Sequence, residues 1–282
     1  MRIAGWRHSL RGEVRALNEV VPHADELPDP TSDELLAIYN AKYSQQGPPG
    51  WSPRMRLSFG YFTPDDHYEA LVARLVTSGC HWADIGCGRD IFPGNPQLAR
   101  DLVARAGYVY GIDPDPNIKE NPFITEGFQG IVEDCRTERR FDIITMRMVA
   151  EHIVDPDRAI GKVAELLKPG GKFIVYTPHK WAPMSIVASI IPFKWHHPLK
   201  RLLWDAEARD TFPTAYKLNT RNDLRKHMSS KGLAERYFRH LDDCRTFAGY
   251  GFINYAELSA QRALRSVGLH YLETCLLGVF EK

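Results

Sequence analysis

The sequence lacks the cysteine pattern of a disulfide-stapled or zinc-binding protein. Its five cysteines, at positions 80, 87, 135, 244 and 275, are scattered, odd in number and form no C-x-x-C pair. This distribution argues against a disulfide framework and against a structural zinc site. We therefore expect a reducing, cytoplasmic compartment.

Long apolar runs and a marked charge bias are also missing. The longest apolar stretches, such as Met184 to Ile191, are too short to span a bilayer. No apolar region follows the basic start of the chain, so we expect no secretory signal. The formal net charge is +1, which gives no support for binding a polyanion. We expect a small-molecule substrate, no nucleic-acid partner and no transmembrane segment.

Strands and helices alternate from residue 80 onwards. The predicted strands are 81–86, 108–113, 129–132, 141–146 and 171–177, and the predicted helices are 96–106, 155–167 and 220–231. Such alternation indicates a parallel sheet with crossover helices. Two further strands, 233–241 and 269–280, flank a helix at 255–267, and we expect one of them to run antiparallel at the sheet edge.

The predicted fold is therefore α/β and Rossmann-like: a mostly parallel seven-stranded sheet with helices on both faces and an antiparallel edge strand at the C-terminus. Residues 1–64 are predicted to form an N-terminal helical cap, and residues 65–282 the main domain. Residues 178–219 form a long connection rich in Trp, His and Pro. Connections of this length are usually lids or binding segments, so we predict a substrate lid there.

A glycine turn followed by an acidic strand end is the strongest functional signal. Asp84-Ile85-Gly86-Cys87-Gly88 ends the first strand, and Asp113 ends the second. Glycines let the backbone approach a ligand closely. An acid at the tip of the next strand can accept hydrogen bonds from both hydroxyls of a ribose. The pattern predicts a nucleoside-containing cofactor at the carboxyl edge of the sheet.

Three further segments follow the glycine turn and Asp113 in order: Phe141-Asp142, Glu151-His152 and Leu167-Lys168-Pro169-Gly170-Gly171. In this order the sequence resembles class I S-adenosylmethionine-dependent methyltransferases, and most of all the branch that contains the ubiquinone-biosynthesis O-methyltransferases. The resemblance is good over residues 80–180 and looser in the last strands.

The resemblance implies S-adenosyl-L-methionine as cofactor and S-adenosyl-L-homocysteine as product. The glycine turn would lie beside the methionine and ribose, Asp113 would hold the ribose hydroxyls, and either Glu133 or Asp134 would lie near the adenine amino group. The implied cofactor-binding residues are Asp84, Gly86, Gly88, Asp113, Glu133, Asp134, Met146 and Arg147.

Three positions depart from the family pattern. Arg89-Asp90 replaces a small residue and a glycine, and the segment Phe92 to Pro96 lengthens the first turn. Met148 stands where quinone-type relatives carry an acid that can help to bind a divalent metal, so no metal is predicted.

His152 is the first candidate general base, because it follows the fourth strand on the ligand edge and an imidazole titrates near neutral pH. Glu151 and His179 are the other candidate catalytic residues. In the alternative interpretation, Glu151 and His152 only stabilise the first turn of the next helix. Trp181, with Trp195, Trp204 and Tyr216, could wall an acceptor pocket or pin the long connection to the domain.

The leading hypothesis is in-line methyl transfer from S-adenosylmethionine to an oxygen of a small or medium-sized acceptor, with aromatic and lipid-like molecules as candidates. A nicotinamide-dependent oxidoreductase is one alternative, but Ile91 occupies the place of its third glycine and no Tyr-x-x-x-Lys dyad lies beside the sheet. A methyltransferase-like binding module without catalysis is another, kept open by Arg89-Asp90.

Overall fold

The computed structural model describes residues 26–43, 49–182, 214–269 and 273–282. The helices in these ranges are α1 (Ser32–Tyr43), α2 (Trp51–Ser58), α3 (Pro64–Leu75), α4 (Pro96–Arg105), α5 (Pro156–Leu166), α6 (Arg221–Ser229) and α7 (Gly251–Ser266). The strands are β1 (His81–Ile85), β2 (Tyr108–Asp113), β3 (Glu126–Gln129), β4 (Phe141–Arg147), β5 (Leu167–Pro178), β6 (Ala234–Asp242) and β7 (Glu273–Glu281).

All described strands join one sheet in the order β3-β2-β1-β4-β5-β7-β6. Strands β1 to β5 pair in parallel, whereas β7 runs antiparallel to both β5 and β6. The predicted mostly parallel, seven-stranded α/β sheet is confirmed. The antiparallel strand predicted at the C-terminal edge is β7, which lies between β5 and β6 so that β6 closes that edge.

The third strand corrects the sequence prediction. Residues 129–132 are predicted as strand, but β3 spans Glu126–Gln129 and pairs with the last residues of β2. The N–H of Gly130 then donates to the main-chain oxygen of Asp113 (2.9 Å), and Val132–Asp134 forms a 3₁₀ turn. Pairing with β2 thus outweighs local β-propensity, and the turn brings Glu133 to the carboxyl edge.

Each face of the sheet is covered by helices. On one face Ile160 of α5 and Leu224 of α6 pack with strand residues in a continuous apolar core. On the other face Leu35 of α1, Tyr68 of α3 and Leu102 of α4 do the same. The two helical layers leave the carboxyl ends of β1, β2 and β4 as the place where ligands bind in open α/β sheets.

The N-terminal segment predicted as a cap contributes α1 and α2. Helix α1 buries Leu35 and Ile38 in the core that α3 also lines. Helix α3 begins with a capping box, in which Thr63 and Asp66 each bond the other's main-chain N–H. The division between cap and main domain near residue 64 stays a prediction, as does a lid at 178–219. Within the described ranges, every helix is too short or too polar to cross a bilayer.

Candidate active site

Gly86 is required by the packing of the protein itself. Its φ is +79°, a conformation that favours glycine, and its N–H donates to the Ile112 carbonyl at 2.7 Å. A Cβ at this position would lie 2.2 Å from Cγ2 of Val149. The sequence predicts that a ligand approaches both glycines closely. At Gly86 the group that comes close is instead the side chain of Val149, which follows β4.

Gly88 instead faces open space. Its φ is +43°, and a Cβ added there would meet no described heavy atom within 4 Å. Its N–H donates to Oδ2 of Asp113 at 2.8 Å, and the N–H of Asp115 donates to Oδ1 of the same carboxylate at 2.7 Å. Each carboxylate oxygen has two acceptor sites. The turn and the acid that the sequence pairs are in direct contact.

The side chain of Asn121 holds the glycine turn in place, a contact that sequence reasoning missed. Its amide nitrogen lies 3.1 Å from the carbonyl oxygens of both Cys87 and Gly88, and it is buried. Arg89, the departure from the family pattern, points to the same segment: its guanidinium contacts Asn117 at 2.9 Å and Glu120 at 3.1 Å. An isolated Asn after the 3₁₀ turn Pro116–Glu120 gives no sequence signal that would reveal this contact.

Asp84 is buried at the end of β1. The hydroxyl of Thr145 donates to its Oδ1 at 2.6 Å, and the indole of Trp82 donates to the same hydroxyl at 2.7 Å. Burial raises the pKa of Asp84 to about 7, although the Thr145 hydrogen bond and the Arg147 charge act against it. A cation placed beside such a carboxyl group would stabilise its ionised form.

The two acids after β3 have different environments. Asp134 is largely exposed, and Arg158 contacts its Oδ1 at 3.1 Å. Oε2 of Glu133 is buried and has no hydrogen-bond partner among the described residues. Burial also raises the pKa of Glu133. A buried acceptor without a donor is unfavourable by about 1–3 kcal/mol, which a ligand N–H would relieve.

Three residues at the end of β4 turn in different directions. Met146 is fully buried in the core, so its side chain does not face an open cleft. Arg147 pairs with Asp65 at 2.8 Å. Met148 has φ +53°, which is uncommon for a residue with a side chain, and its N–H donates to the Tyr176 carbonyl at 2.7 Å.

Asp65, at the start of α3, joins three segments of the chain. Besides Arg147 it contacts Arg245, which follows β6, at 2.9 Å. Burial alone would raise the pKa of Asp65, but the charges of Arg245 and Arg147 lower it to about 2. Nothing in the local sequence distinguishes Asp65 from an ordinary acid in a first helical turn, so sequence reasoning missed this contact.

Glu151 anchors the returning end of the long connection. Its main-chain carbonyl accepts N–H groups of Ala215 (2.7 Å) and Tyr216 (3.1 Å). Its carboxylate is buried and accepts the Thr177 hydroxyl at 2.9 Å, and Asn219 donates to that same hydroxyl at 2.7 Å. Burial raises the pKa of Glu151.

His152 lies beside Glu151 but outside the next helix. Its Nε2 is 3.9 Å from Oε1 of Glu151, and its side chain is 28% exposed. Helix α5 begins at Pro156 and is capped by Asp155, whose side chain accepts the N–H of Arg158 at 3.1 Å. The interpretation that Glu151 and His152 only stabilise the first turn of that helix is therefore not supported.

His179, after β5, lies against His240, which lines a cavity at the β6–β7 end of the same edge. Its main-chain N–H donates to the Thr274 carbonyl at 2.8 Å, and its ring packs edge-on against His240 at 5.2 Å between centroids. The cavity has a volume of about 310 Å³ and is lined by apolar, aromatic and ionisable side chains that include His67, His240 and Glu273.

Parts of the predicted lid lie outside the described residues, among them Trp195 and Trp204. Of the other aromatic residues proposed for a pocket wall, Trp181 is 63% exposed and Tyr216 is half-buried with φ +50°. Within the described part of the chain, no three His, Cys, Asp or Glu side chains cluster in a way that could hold a metal ion.

Comparison with known proteins agrees with this architecture. A family model described as "Methyltransferase domain" matches residues 61–236. The ubiquinone biosynthesis O-methyltransferase of Coxiella burnetii is 27% identical over 146 residues, and the match covers 49% of this chain and 60% of that protein. The protein of the same name from Bradyrhizobium is 31% identical over 178 residues, covering 55% of this chain and 68% of the relative.

Among solved structures, a Haloferax volcanii protein in complex with the Trm112 methyltransferase activator matches with a TM-score of 0.50. The match has 15% identity and covers 89% of this chain and 96% of that one, a likeness that shows the fold alone. The chain belongs to the methyltransferase-domain family. Within that family it is a member of the class I S-adenosylmethionine-dependent group, as its sheet order, glycine turn and strand-end acid indicate.

Proposed function

We propose that the protein transfers a methyl group from S-adenosylmethionine to an oxygen of a small or medium-sized acceptor, with aromatic and lipid-like molecules as candidates. The observation that best supports this proposal is the open turn at Gly88, whose main-chain N–H donates to Asp113 at the carboxyl edge of the sheet. Asp113 accepts the two ribose hydroxyls, and Gly88 leaves room for the sugar.

Glu133 is the acid assigned to the adenine. Its buried Oε2 lacks a hydrogen-bond partner within the described residues, and an exocyclic amino group would supply one. Asp134 is already engaged by Arg158. Ile131 is 47% exposed at the same place, where it can pack against the face of the base.

Asp84 is assigned to the amino-acid end of the cofactor. The buried carboxyl group, whose pKa is about 7 in the free protein, becomes fully ionised beside an ammonium group. These assignments place the nucleoside over β1 and β2 and the reacting methyl group towards β4.

When bound, the cofactor would supply an electrophilic methyl group on a sulfonium for in-line transfer to the acceptor oxygen, and the electron pair of the broken carbon–sulfur bond would remain on sulfur. His152 accepts the proton of the acceptor hydroxyl, and Glu151, 3.9 Å from its Nε2, stabilises the imidazolium. The candidate acceptor pocket is the cavity of about 310 Å³ that His240 and Glu273 line, with His179 packed against His240.

The first experiment measures cofactor binding by calorimetry. We expect S-adenosylhomocysteine to bind and NADH not to bind, because the third glycine of a dinucleotide fingerprint is replaced by Ile91, which is buried in the core. Asp113→Ala should weaken S-adenosylhomocysteine on the order of 100-fold through the loss of two charge-assisted hydrogen bonds. Asp157→Ala, on the exposed surface of α5, is the matched control. NADH binding, or an unchanged affinity in Asp113→Ala, would contradict the proposal.

Turnover then tests the base, with radiolabelled S-adenosylmethionine and a panel of phenols, catechols and prenylated phenols. His152→Ala should lower kcat by about 10²–10⁴-fold without weakening S-adenosylhomocysteine, whereas His179→Ala should mainly raise KM for the acceptor. His227→Ala, a histidine of α6 paired with Asp157, is the matched control. Full activity in His152→Ala would show that another group removes the proton.

A further inference from the structure

Helix α7 differs from an ordinary surface helix, because its buried face is mostly polar and its exposed face is mostly apolar. The residues it turns towards the protein include Asn254, Glu257 and Gln261, all at most 6% exposed. Asn254 donates to the Cys244 carbonyl at 3.1 Å and to Glu257 at 3.0 Å, and Gln261 donates to Asp242. These polar side chains, together with the buried Leu258, fix the helix to the domain, while Phe252, Ile253 and Tyr255 are left exposed.

The outward face of α7 is apolar along its whole length. Phe252 is 85% exposed, Tyr255 48% and Ile253 47%. At helical spacing the same face continues through Ala256, Ser259, Ala260 and Ala263. We call these seven residues the α7 face; they carry no charge. A contiguous apolar surface of this kind on a folded protein marks an interaction site.

We propose that the α7 face is the contact surface of a homodimer, in which two copies pack α7 against α7 in antiparallel orientation about a two-fold axis. The large side chains lie at the N-terminal end of the helix and the small ones towards its C-terminal end. In an antiparallel pair that crosses near Ser259, Tyr255 of one copy lies opposite Ala263 of the other, and Phe252 lies opposite Ser266. The face is therefore complementary to itself, which a two-fold interface requires.

The exposed area at and around the α7 face is close to what a homodimer contact needs. Three more aromatic residues flank the α7 face: Tyr250 is 58%, Trp51 40% and Phe247 39% exposed. At roughly 150–250 Å² for an aromatic side chain, the exposed parts of these and of Phe252 and Tyr255 amount to roughly 600 Å² per copy. A standard stable interface buries about 800 Å² per partner, and the alanine stripe adds to the aromatic part.

The charges of α7 favour a protein copy over a lipid surface. A helix that binds a membrane surface presents Lys and Arg beside its apolar face. Here the guanidinium of Arg262 lies over the ring of Phe59 at 4.1 Å, and Arg265 contacts Asp242 at 2.9 Å. Both cations of the helix are thus engaged by the domain, and the α7 face is left neutral.

The test is the mass of the full chain in solution, measured by light scattering and sedimentation over a wide concentration range. We expect a dimer for the unmodified chain and a rise in its dissociation constant on the order of 100-fold for Ala260→Glu, which buries two unpaired charges in the contact. Ala104→Glu, at another exposed alanine on α4, should leave the dimer unchanged. A monomer at all concentrations, or a dimer that Ala260→Glu does not weaken, overturns the proposal.

Cross-linking gives a second readout that does not depend on affinity. All five native cysteines are buried, so Ser259→Cys introduces an accessible thiol at the proposed axis, where the two copies come close enough for a disulfide. Mild oxidation should join two copies through it, and Ala104→Cys should not do so at the same rate. A monomeric chain that sediments with phosphatidylglycerol vesicles, and loses this in Ala260→Glu, would identify a lipid surface as the partner instead.

Discussion

The carboxyl edge of the sheet has two ends, and a different kind of contact stabilises each of them. At β1 and β2, which we call the cofactor end, the contacts are short-range and involve the main chain: Gly88 donates to Asp113, 25 residues further on. At β5, β7 and β6, the acceptor end, side chains join remote segments. Tyr61 donates its hydroxyl to the Asp242 carbonyl, 181 residues away, and Asp65 contacts Arg245.

This difference decides how much of the site the sequence could predict. The cofactor end is built from a strand, a glycine turn and a strand-end acid, so the spacing of Gly86, Gly88 and Asp113 was sufficient to place them together. The alternating pattern also gave the sheet and most helices. The contacts of Asn121 with the turn could not be foreseen, because an isolated amide carries no pattern.

The acceptor end could not be predicted for a physical reason. Its contacts are ion pairs and hydrogen bonds between residues far apart in the chain, and such pairs leave no periodicity. Asp65 looked like an ordinary first-turn acid, and Glu151 looked like a helix-start residue. The polar contacts of the buried face of α7 were equally hidden, since Asn254 donates to the Cys244 carbonyl and Gln261 donates to Asp242, and both acceptors lie outside the helix.

The largest expected effect separates the two glycines of the cofactor end. Gly86→Ala should lower the free energy of unfolding by about 3 kcal/mol, since its Cβ would overlap Val149 and its φ is strained. Gly88→Ala should cost only about 1 kcal/mol in stability, because its Cβ meets open space, but it should weaken S-adenosylhomocysteine. Urea unfolding and calorimetry measure the two quantities.

The double variant Gly86→Ala/Val149→Ala isolates the cause. Removal of the Val149 methyl groups should restore part of the stability lost in Gly86→Ala, as a favourable coupling in a double-mutant cycle. Equal stability of Gly86→Ala and Gly88→Ala would mean that Val149 does not occupy the space assigned to it.

A smaller effect is expected at the acceptor end from Asp65→Asn. Loss of the charge removes ion pairs with Arg147 and Arg245 and should cost about 2 kcal/mol at pH 7. The folded-state pKa of Asp65, about 2, lies below its ordinary value of 3.8. Its contribution is therefore complete above pH 4 and disappears as the pH falls towards 2.

Urea unfolding of the unmodified chain and of Asp65→Asn between pH 7 and pH 2 tests this. The two free energies of unfolding should converge at the acid end. Asp157→Asn, which removes a carboxylate that is 67% exposed, should change stability by less than about 1 kcal/mol. A constant difference between the chain and Asp65→Asn at every pH would show that the effect is not electrostatic.

The smallest expected effect is a pH dependence of cofactor affinity that Asp84 causes at the cofactor end. Its pKa of about 7 in the free protein means that it is largely protonated at pH 6. A cofactor ammonium beside it favours the ionised form, so binding releases a proton and the affinity for S-adenosylhomocysteine should rise roughly fivefold to tenfold from pH 6 to pH 8. Asp84→Asn should bind with an affinity that is independent of pH in this range, and so should 5′-methylthioadenosine, which lacks the ammonium group. If 5′-methylthioadenosine followed the same pH dependence as S-adenosylhomocysteine, the titrating group would lie at the nucleoside, where Glu133 has a buried carboxylate oxygen, and not at Asp84.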